Sequence, residues 1–384
     1  FVKTALESGE LNARHGAQVV SIHPLRELEA PSLPGAKDGG VPVREAEVVL
    51  SFPMENIGTS LPALVTMVSG NLFELGQFSG LKLVDLELPD AFIDAHPGPA
   101  FGISGTREKT GVADRPIIGT IIKPSVGLTP EQTATLVREL IEAGLDFIKD
   151  DELIANPPYS PLAERVPAVM REIRRYADRT GKQPMVAFNI TDTIDAMKRH
   201  HDRVVAEGGT CVMINMIPCG LTGFSALRPH LEVPVHAHRN GWGMFDRSPV
   251  LGMRYRVFSQ FWRLAGVDQM HVNGLRNKFC EPDDSVVESA RFCQTPLGSS
   301  RPVMPVFSSG QSAGQAPDTY AALENTDLMY LCGGGILGHP DGPRAGVWSI
   351  QQAWEAARRG IGLETYAADG HPELESALAA FGRK

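Results

Sequence analysis

The sequence predicts an α/β protein, with a C-terminal (β/α)8 barrel behind a smaller α+β domain. From Ile117 onward, short apolar runs alternate with helical patterns, eight times in about 250 residues. Before Ile117 that repeat is absent, and isolated strand and helix patterns stand in its place. Nearly every apolar run ends in a polar residue or glycine, and in such a barrel the chemistry sits at the C-terminal strand ends. A doubly wound sheet is the second architecture that fits the runs.

The first domain is expected over 1–105 and the barrel over 106–384. The chain begins at Phe1 rather than Met, so N-terminal residues are expected to be missing. The Pro/Gly-rich stretch 31–41 reads as an exposed loop. Val48 to Phe52 reads as a strand and Leu61 to Val68 as a helix. Residues 81–88 alternate apolar and polar, the period of a half-buried strand. Gly and Pro at 96–105 suit a linker. The eight runs then fall at 117–122, 147–148, 185–188, 211–214, 233–237, 270–272, 303–307 and 328–331. Thr129 caps the helical pattern carrying Leu136, Val137, Leu140 and Ile141. Val166, Val169, Met170 and Ile173 stripe the next, and Tyr255, Phe258, Phe261, Trp262 and Ala265 another. These stripes read as packing faces.

Composition narrows the function. The chain is 42% hydrophobic and 21% charged, ordinary for a globular protein. Its net charge of -9 is spread among both signs, with no basic block for nucleic acid. No apolar run reaches membrane-spanning length, and nothing resembles a signal peptide. Five scattered cysteines without CxxC spacing argue against a disulfide framework or zinc site, and for a reducing cytoplasm.

The strand ends supply the candidate site. The first ends in Lys123-Pro124, the second in Lys149-Asp150-Asp151-Glu152, the third in Asn189 and the fourth in Asn215. The fifth ends in His238-Arg239, the sixth in His271, the seventh in Ser308-Ser309-Gly310 and the eighth in Gly333-Gly334-Gly335. Three adjacent acids repel one another unless a cation sits among them, and a hard divalent ion prefers such oxygen ligands. Equally, acids there can be the first turn of a helix. The Gly333 run is either a tight turn or a backbone cradle for phosphate; Ser308 favours phosphate. Lys123 alone reads as a solvated lysine, His238-Arg239 as a structural pair and His271 as a core histidine. His15, His23, His200 and His201 read as surface residues.

In combination and order, these residues resemble one family over nearly the whole chain. The segments are Gly-Thr-Ile-Ile-Lys-Pro-Ser-Val-Gly-Leu at 119–128, Gly-Leu-Asp-Phe-Ile-Lys-Asp-Asp-Glu at 144–152, His238-Arg239, 271–278, Ser308, and Gly-Gly-Gly-Ile-Leu-Gly-His-Pro at 333–340. The chain resembles the large subunit of ribulose-bisphosphate carboxylase/oxygenase (RuBisCO) and its RuBisCO-like, or form IV, relatives. That resemblance implies CO2 bound as a carbamate on Lys149, with Mg²⁺ held by Lys149, Asp151 and Glu152. It implies a metal-stabilised enediolate. It makes Lys123 the proton shuttle and puts His238 beside the substrate oxygens. Arg239, His271 and Ser308 would grip the distal end of the substrate, including a phosphate. Gly333 and Gly334 would bind the other phosphate, and Lys278 would ride a mobile loop. Asn71 would reach a partner's site, implying a homodimer with shared active sites.

Departures from the carboxylase pattern change the pocket. Ser125 stands where a second lysine is expected, Asn240-Gly241-Trp242 replaces a histidine-bearing turn, and Asn273-Gly-Leu-Arg-Asn277 precedes Lys278. Productive ribulose-bisphosphate carboxylation is therefore not expected. With Lys278 and the metal triad in place, the resemblance implies decarboxylation, or transcarboxylation with hydrolysis, of a phosphorylated 3-oxo acid sugar. An enolase or isomerase of a methylthio-pentulose phosphate is the alternative, favoured by an apolar pocket near Trp242 and Met244. A non-catalytic scaffold ranks below both.

Overall fold

A computed structural model describes residues 9–37 and 40–382. They divide into two compact units. One comprises the described residues within Phe1–Ala95 together with Gly243–Phe258; the other comprises His96–Trp242 and Ser259–Lys384 as far as described.

In the first unit, Gln18–Leu28 pairs antiparallel with Val43–Ser51. The second strand contains most of the expected run. The first was not legible: Pro24 interrupts it, and register shifts at Val19/Ser21 and Pro24/Arg26 break the alternation. Leu61–Ser69 is helical, with Ser60 Oγ accepting the Ala63 N–H at 3.3 Å and Pro62 in the first turn. Only Leu81–Leu83 of the expected strand at 81–88 forms, paired parallel with Leu251–Met253. That partner has three residues, so the remaining alternation has no neighbour to bond. The stretch 31–41 has no helix or strand among its described residues; 38 and 39 lie outside them.

The second unit is a closed barrel of eight parallel strands. They are β1 (Ile117–Ile121), β2 (Phe147–Lys149), β3 (Met185–Asn189), β4 (Cys211–Asn215), β5 (Val235–His238), β6 (Gln269–His271), β7 (Met304–Phe307) and β8 (Met329–Leu331). Each of the eight apolar runs supplies one strand. Both faces of each strand are covered, which makes the runs continuous rather than alternating. β8 closes on β1 with Leu331 opposite Gly119. A Cβ at Gly119 would stand 2.4 Å from Leu331 Cδ2 and 2.9 Å from the Phe147 carbonyl, so only glycine fits this close approach.

Side chains alternate across a strand. The lumen is filled by Ile117, Phe147, Met185, Ala187, Cys211, Met213, Met304, Val306, Met329 and Leu331, which form one cluster. Continuing each strand in steps of two carries the same face to Lys149, Asn189, Asn215 and Ser308. The filled lower barrel thus gives way to polar groups at one end.

The helix Pro130–Glu142 begins with a reciprocal cap between Thr129 and Gln132. Val166, Val169, Met170 and Ile173 are buried on Leu162–Thr180, and Tyr255–Ala265 is helical as its stripe predicts. Gly102–Thr110 is a helix where a linker is expected. Gly105 marks packing there: a Cβ would meet the Phe101 side chain at 2.7 Å.

Candidate active site

At the end of β2, Lys149 is 1% exposed. Its ammonium donates to the Asp150 carbonyl at 2.8 Å and contacts Met213 Sδ at 3.6 Å. Burial pulls its pKa from 10.5 down to about 8, against the opposing pull of Glu152, Asp151 and Asp150. A lysine so placed yields the neutral, nucleophilic amine far more readily than an exposed one.

The three acids have separate environments. Asp150 pairs with Arg165 NH2 at 3.0 Å and accepts the Asn189 N–H at 2.9 Å, all in the interior. This carboxylate ties β2 to β3 and to the helix Leu162–Thr180. Asp151 is also buried, but it faces Lys123 Nζ at 2.5 Å and Ser125 Oγ at 3.1 Å. Lys123 also donates to Ser125 at 2.6 Å. The Glu152 side chain is one-third exposed, with Oε2 3.7 Å from His238 Nε2.

β3 and β4 shape this corner. Asn189 Nδ2 reaches the Asp151 and Glu152 carbonyls at 3.4 and 3.3 Å, and Asn215 Nδ2 reaches the Glu152 carbonyl at 2.9 Å. Thr191 Oγ1 joins the two, donating to Asn189 Oδ1 at 2.7 Å and accepting the Asn215 N–H at 2.8 Å. Asn215 Oδ1 is buried and has no hydrogen-bond partner among the described residues. An orphaned buried acceptor on a residue bonded to the Glu152 backbone suits a water, such as one of a hydrated cation, that can donate to it. Asp151 and Glu152 are oxygen donors of the kind Mg²⁺ takes, and Lys149 could join them only as a carbamate.

On the far side, His236, His238 and His271 cluster. Their rings meet edge-on, with centroids 4.8 Å apart for His236 and His271 and 4.6 Å for His238 and His271. Burial first, then the Lys149 charge, pushes His238 down to about 3, and the other two lie well below the usual range for the same leading cause. Burial therefore favours the neutral imidazole in all three. His271 Nδ1 lies 2.9 Å from Ser308 Oγ. Arg239 pairs with Glu281 at 2.7 Å, and Glu281 also accepts from Asn273 Nδ2 at 2.6 Å. Asn273 and Ser309 both have positive φ, 67° and 70°, and bond each other at 2.7 Å. Such backbone strain collects at functional sites.

After β8, Gly333 and Gly334 open the turn Gly334–Leu337. A Cβ on Gly334 would meet nothing within 4 Å, whereas one on Gly335 would stand 2.6 Å from the Gln311 carbonyl. Protein packing demands glycine at 335. At 334 the backbone is bare toward open space, as a ligand cradle requires.

The barrel thus gathers Lys123, Lys149, Asp151, Glu152 and His238 by direct contact or neighbouring strand ends, and His271 with Ser308 beside them. It does not bring Lys278 onto them. Lys278 is exposed, its ammonium 5.3 Å from the Phe279 ring centroid, and its backbone is tied to the Ser309 carbonyl. Asn71 is exposed in the other unit. His236, Gln269, Thr191 and Glu281 were missed by sequence reasoning. His236 and Gln269 stand two residues before His238 and His271, so strand periodicity alone puts each pair on one face.

His201 is buried, not at the surface, because it shares the inner face of Ile194–Ala206 with Met197 and Val204. Its Nε2 accepts the Glu232 N–H at 3.0 Å, so Nδ1 bears the hydrogen, 3.2 Å from Asp202 Oδ1; His230 Nε2 lies 2.6 Å from the same oxygen. These three could surround a cation by distance. A metal on Nδ1 would need the hydrogen moved to Nε2, where the Glu232 amide already points. The cluster is a hydrogen-bonded one.

The closed parallel barrel, with its polar groups gathered at the C-terminal strand ends, places the chain among the (β/α)8-barrel proteins. The model of the ribulose bisphosphate carboxylase large chain, catalytic domain, matches residues 102–381. The chain belongs to the RuBisCO large-chain family. It is 49% identical to a 3-oxo-isoapionate-4-phosphate decarboxylase of Rhizobium rhizogenes, over 99% of this chain and 91% of that one. It is 53% identical to a 3-oxo-isoapionate-4-phosphate transcarboxylase/hydrolase of Xanthobacter autotrophicus, over 98% and 91%. Among solved structures, a RuBisCO-like protein from Burkholderia fungorum superposes with a TM-score of 0.93 at 51% identity, over 96% of this chain and 93% of that one.

Proposed function

We propose that this chain is a Mg²⁺-dependent enzyme that breaks the C–C bond to the carboxylate of a phosphorylated 3-oxo sugar acid, with 3-oxo-isoapionate 4-phosphate as substrate. The observation that carries the reading is Lys149: a buried lysine at the end of β2, in the field of Glu152, Asp151 and Asp150, drawn down to about 8. Relatives of about half identity named for this substrate support it. CO2 added to the neutral Lys149 amine, with one proton released to solvent, would make a carbamate and so an anionic oxygen ligand in place of a cation. Lys149, Asp151 and Glu152 would then hold Mg²⁺. When bound, the ion supplies Lewis-acid stabilisation of charge gathering on the ketone oxygen.

The remaining steps fall to the protein. Loss of CO2 from a 3-oxo acid leaves its electron pair on the adjacent carbon, shared with the ketone oxygen. A proton must then reach that carbon. Lys123, on Asp151 and Ser125, is the cation placed to deliver it. Neutral His238 borders the reacting oxygens. Arg239 and Ser308 take one end of the substrate, with His271 holding Ser308, the amides at Gly333 and Gly334 take a phosphate, and the exposed Lys278 is assigned to the carboxylate.

The runner-up chemistry on a methylthio-pentulose phosphate wants a buried apolar contact for the thioether. Of the two residues named for it, Trp242 is buried, but Met244 is 79% exposed and does not offer one.

A homodimer with Asn71 completing the partner's site is part of the proposal. The two-stranded sheet supports it: Val19, Val20, Ile22, Leu25, Val48, Val49 and Leu50 are all exposed, and a lone hairpin is marginal in water. Among the described residues no helix is long and apolar enough to cross a membrane. The five free cysteines, three of them buried, suit the cytoplasm. The test is CO2 release from 3-oxo-isoapionate 4-phosphate after activation with Mg²⁺ and bicarbonate. Release above the uncatalysed rate is expected; its absence would sink the proposal.

A further inference from the structure

We propose that Gln269 and His236 are positioning residues that fix His271 as its Nε2–H tautomer, with the Nδ1 lone pair turned to Ser308. All the groups involved lie in the barrel unit. Gln269 is fully buried, its side-chain oxygen 2.8 Å from His236 Nδ1. The orientation of that amide is set by sulfur. Gln269 Nε2 lies 3.4 Å from the Met185 thioether, which can only accept, and 3.4 Å from Thr106 Oγ1. The Cys211 thiol, a donor, lies 3.9 Å from the Gln269 oxygen. The NH2 therefore faces Met185 and the carbonyl faces His236.

Polarity then follows along the chain of contacts. A carbonyl only accepts, so His236 Nδ1 bears a hydrogen. A neutral imidazole has one N–H, so His236 Nε2 is a lone pair. His271 Nε2, 2.8 Å away, must donate to it. His271 Nδ1 is then a lone pair and accepts the Ser308 hydroxyl hydrogen across 2.9 Å.

The opposite end is compatible with that direction. The Glu281 carboxylate accepts from Asn273 Nδ2 at 2.6 Å, so Asn273 Oδ1 faces Ser309. Ser309 spends its hydroxyl hydrogen on that oxygen at 2.7 Å. It has none left for Ser308 Oγ at 3.3 Å. The Gln269 carbonyl thus sets the direction through both histidines, and the Glu281 end fixes the Ser309 hydrogen away from Ser308.

The consequence for substrate rests on the proposed roles of His271 and Ser308; the tautomer does not. Ser308 shows its lone pairs, not its hydrogen, to a ligand. A substrate hydroxyl matches that polarity, and a fully deprotonated phosphate oxygen does not.

Neutron diffraction from crystals exchanged into D2O reads the hydrogens directly. Deuterium is expected on His236 Nδ1 and His271 Nε2; deuterium on His271 Nδ1 would overturn the proposal. In Gln269→Met, two-bond ¹H–¹⁵N spectra of labelled histidine should show His236 and His271 in mixed tautomers. KM for the phosphorylated 3-oxo acid should rise about tenfold with kcat changed less than about threefold. Wild-type tautomers and KM in that variant would remove Gln269 from the assignment. If the wild-type enzyme turns over no such substrate, the proposed reaction fails while the neutron map still decides the tautomer.

Discussion

Replacing Lys149 by methionine should make the metal-free protein more stable while destroying its activity. Methionine keeps the unbranched stem and removes the charge. Burial takes the lysine from 10.5 to about 8. The unfolded chain therefore binds more protons than the folded one between those values, and stability rises with pH across that window. Below about 8 the full cost of the buried ammonium is present. At about 1.4 kcal/mol per pKa unit, that cost is about 3 kcal/mol at pH 7 and roughly half as much at pH 9.5. Urea unfolding in EDTA, at one protomer concentration and both pH values, measures it. Lys149→Met should exceed the wild type at pH 7, and the gap should shrink toward pH 9.5. Groups remote from Lys149 are common to both proteins and cancel in the difference; Asp150, His236, His238 and His271 feel its charge, so their own shifts in the variant are measured alongside. Equal stabilities at pH 7 with parallel pH dependence would refute the reasoning.

The other predictions concern the ties around that lysine. Arg165→Met leaves Asp150 buried without its cation, and should cost about 3–5 kcal/mol in the same unfolding assay. Lys123→Met leaves buried Asp151 bonded to Ser125 but without the Lys123 cation, so it should lose some stability in the unfolding assay and roughly 10²–10⁴-fold in kcat, read by CO2 release. Ile22→Glu, on the exposed hairpin, should weaken the proposed dimer by about 30-fold or more in Kd, seen by sedimentation, if that face is covered by the partner.

The barrel was legible because its strands are covered on both faces, so each appears as an unbroken apolar run. The hairpin strand Gln18–Leu28 was not, because Pro24 and two register shifts erase its period and both its faces are exposed. The tetrad at 149–152 could be read as a whole but not apportioned. Only contacts separate Asp150, held by Arg165 fifteen residues on, from Asp151, which faces Lys123. Glu281 is further from view still, because it meets Arg239 across forty-two positions. His236 and Gln269 were within reach, since a two-residue step back along the strand finds them.

The central claim is that Lys149 becomes the activating group of a decarboxylating site. Its most direct test is CO2 release from 3-oxo-isoapionate 4-phosphate by wild-type protein and by Lys149→Met, both preincubated with Mg²⁺ and bicarbonate. The account predicts turnover by the wild type and a loss of at least ~10²-fold in the variant. A folded Lys149→Met enzyme that releases CO2 at the wild-type rate would contradict it.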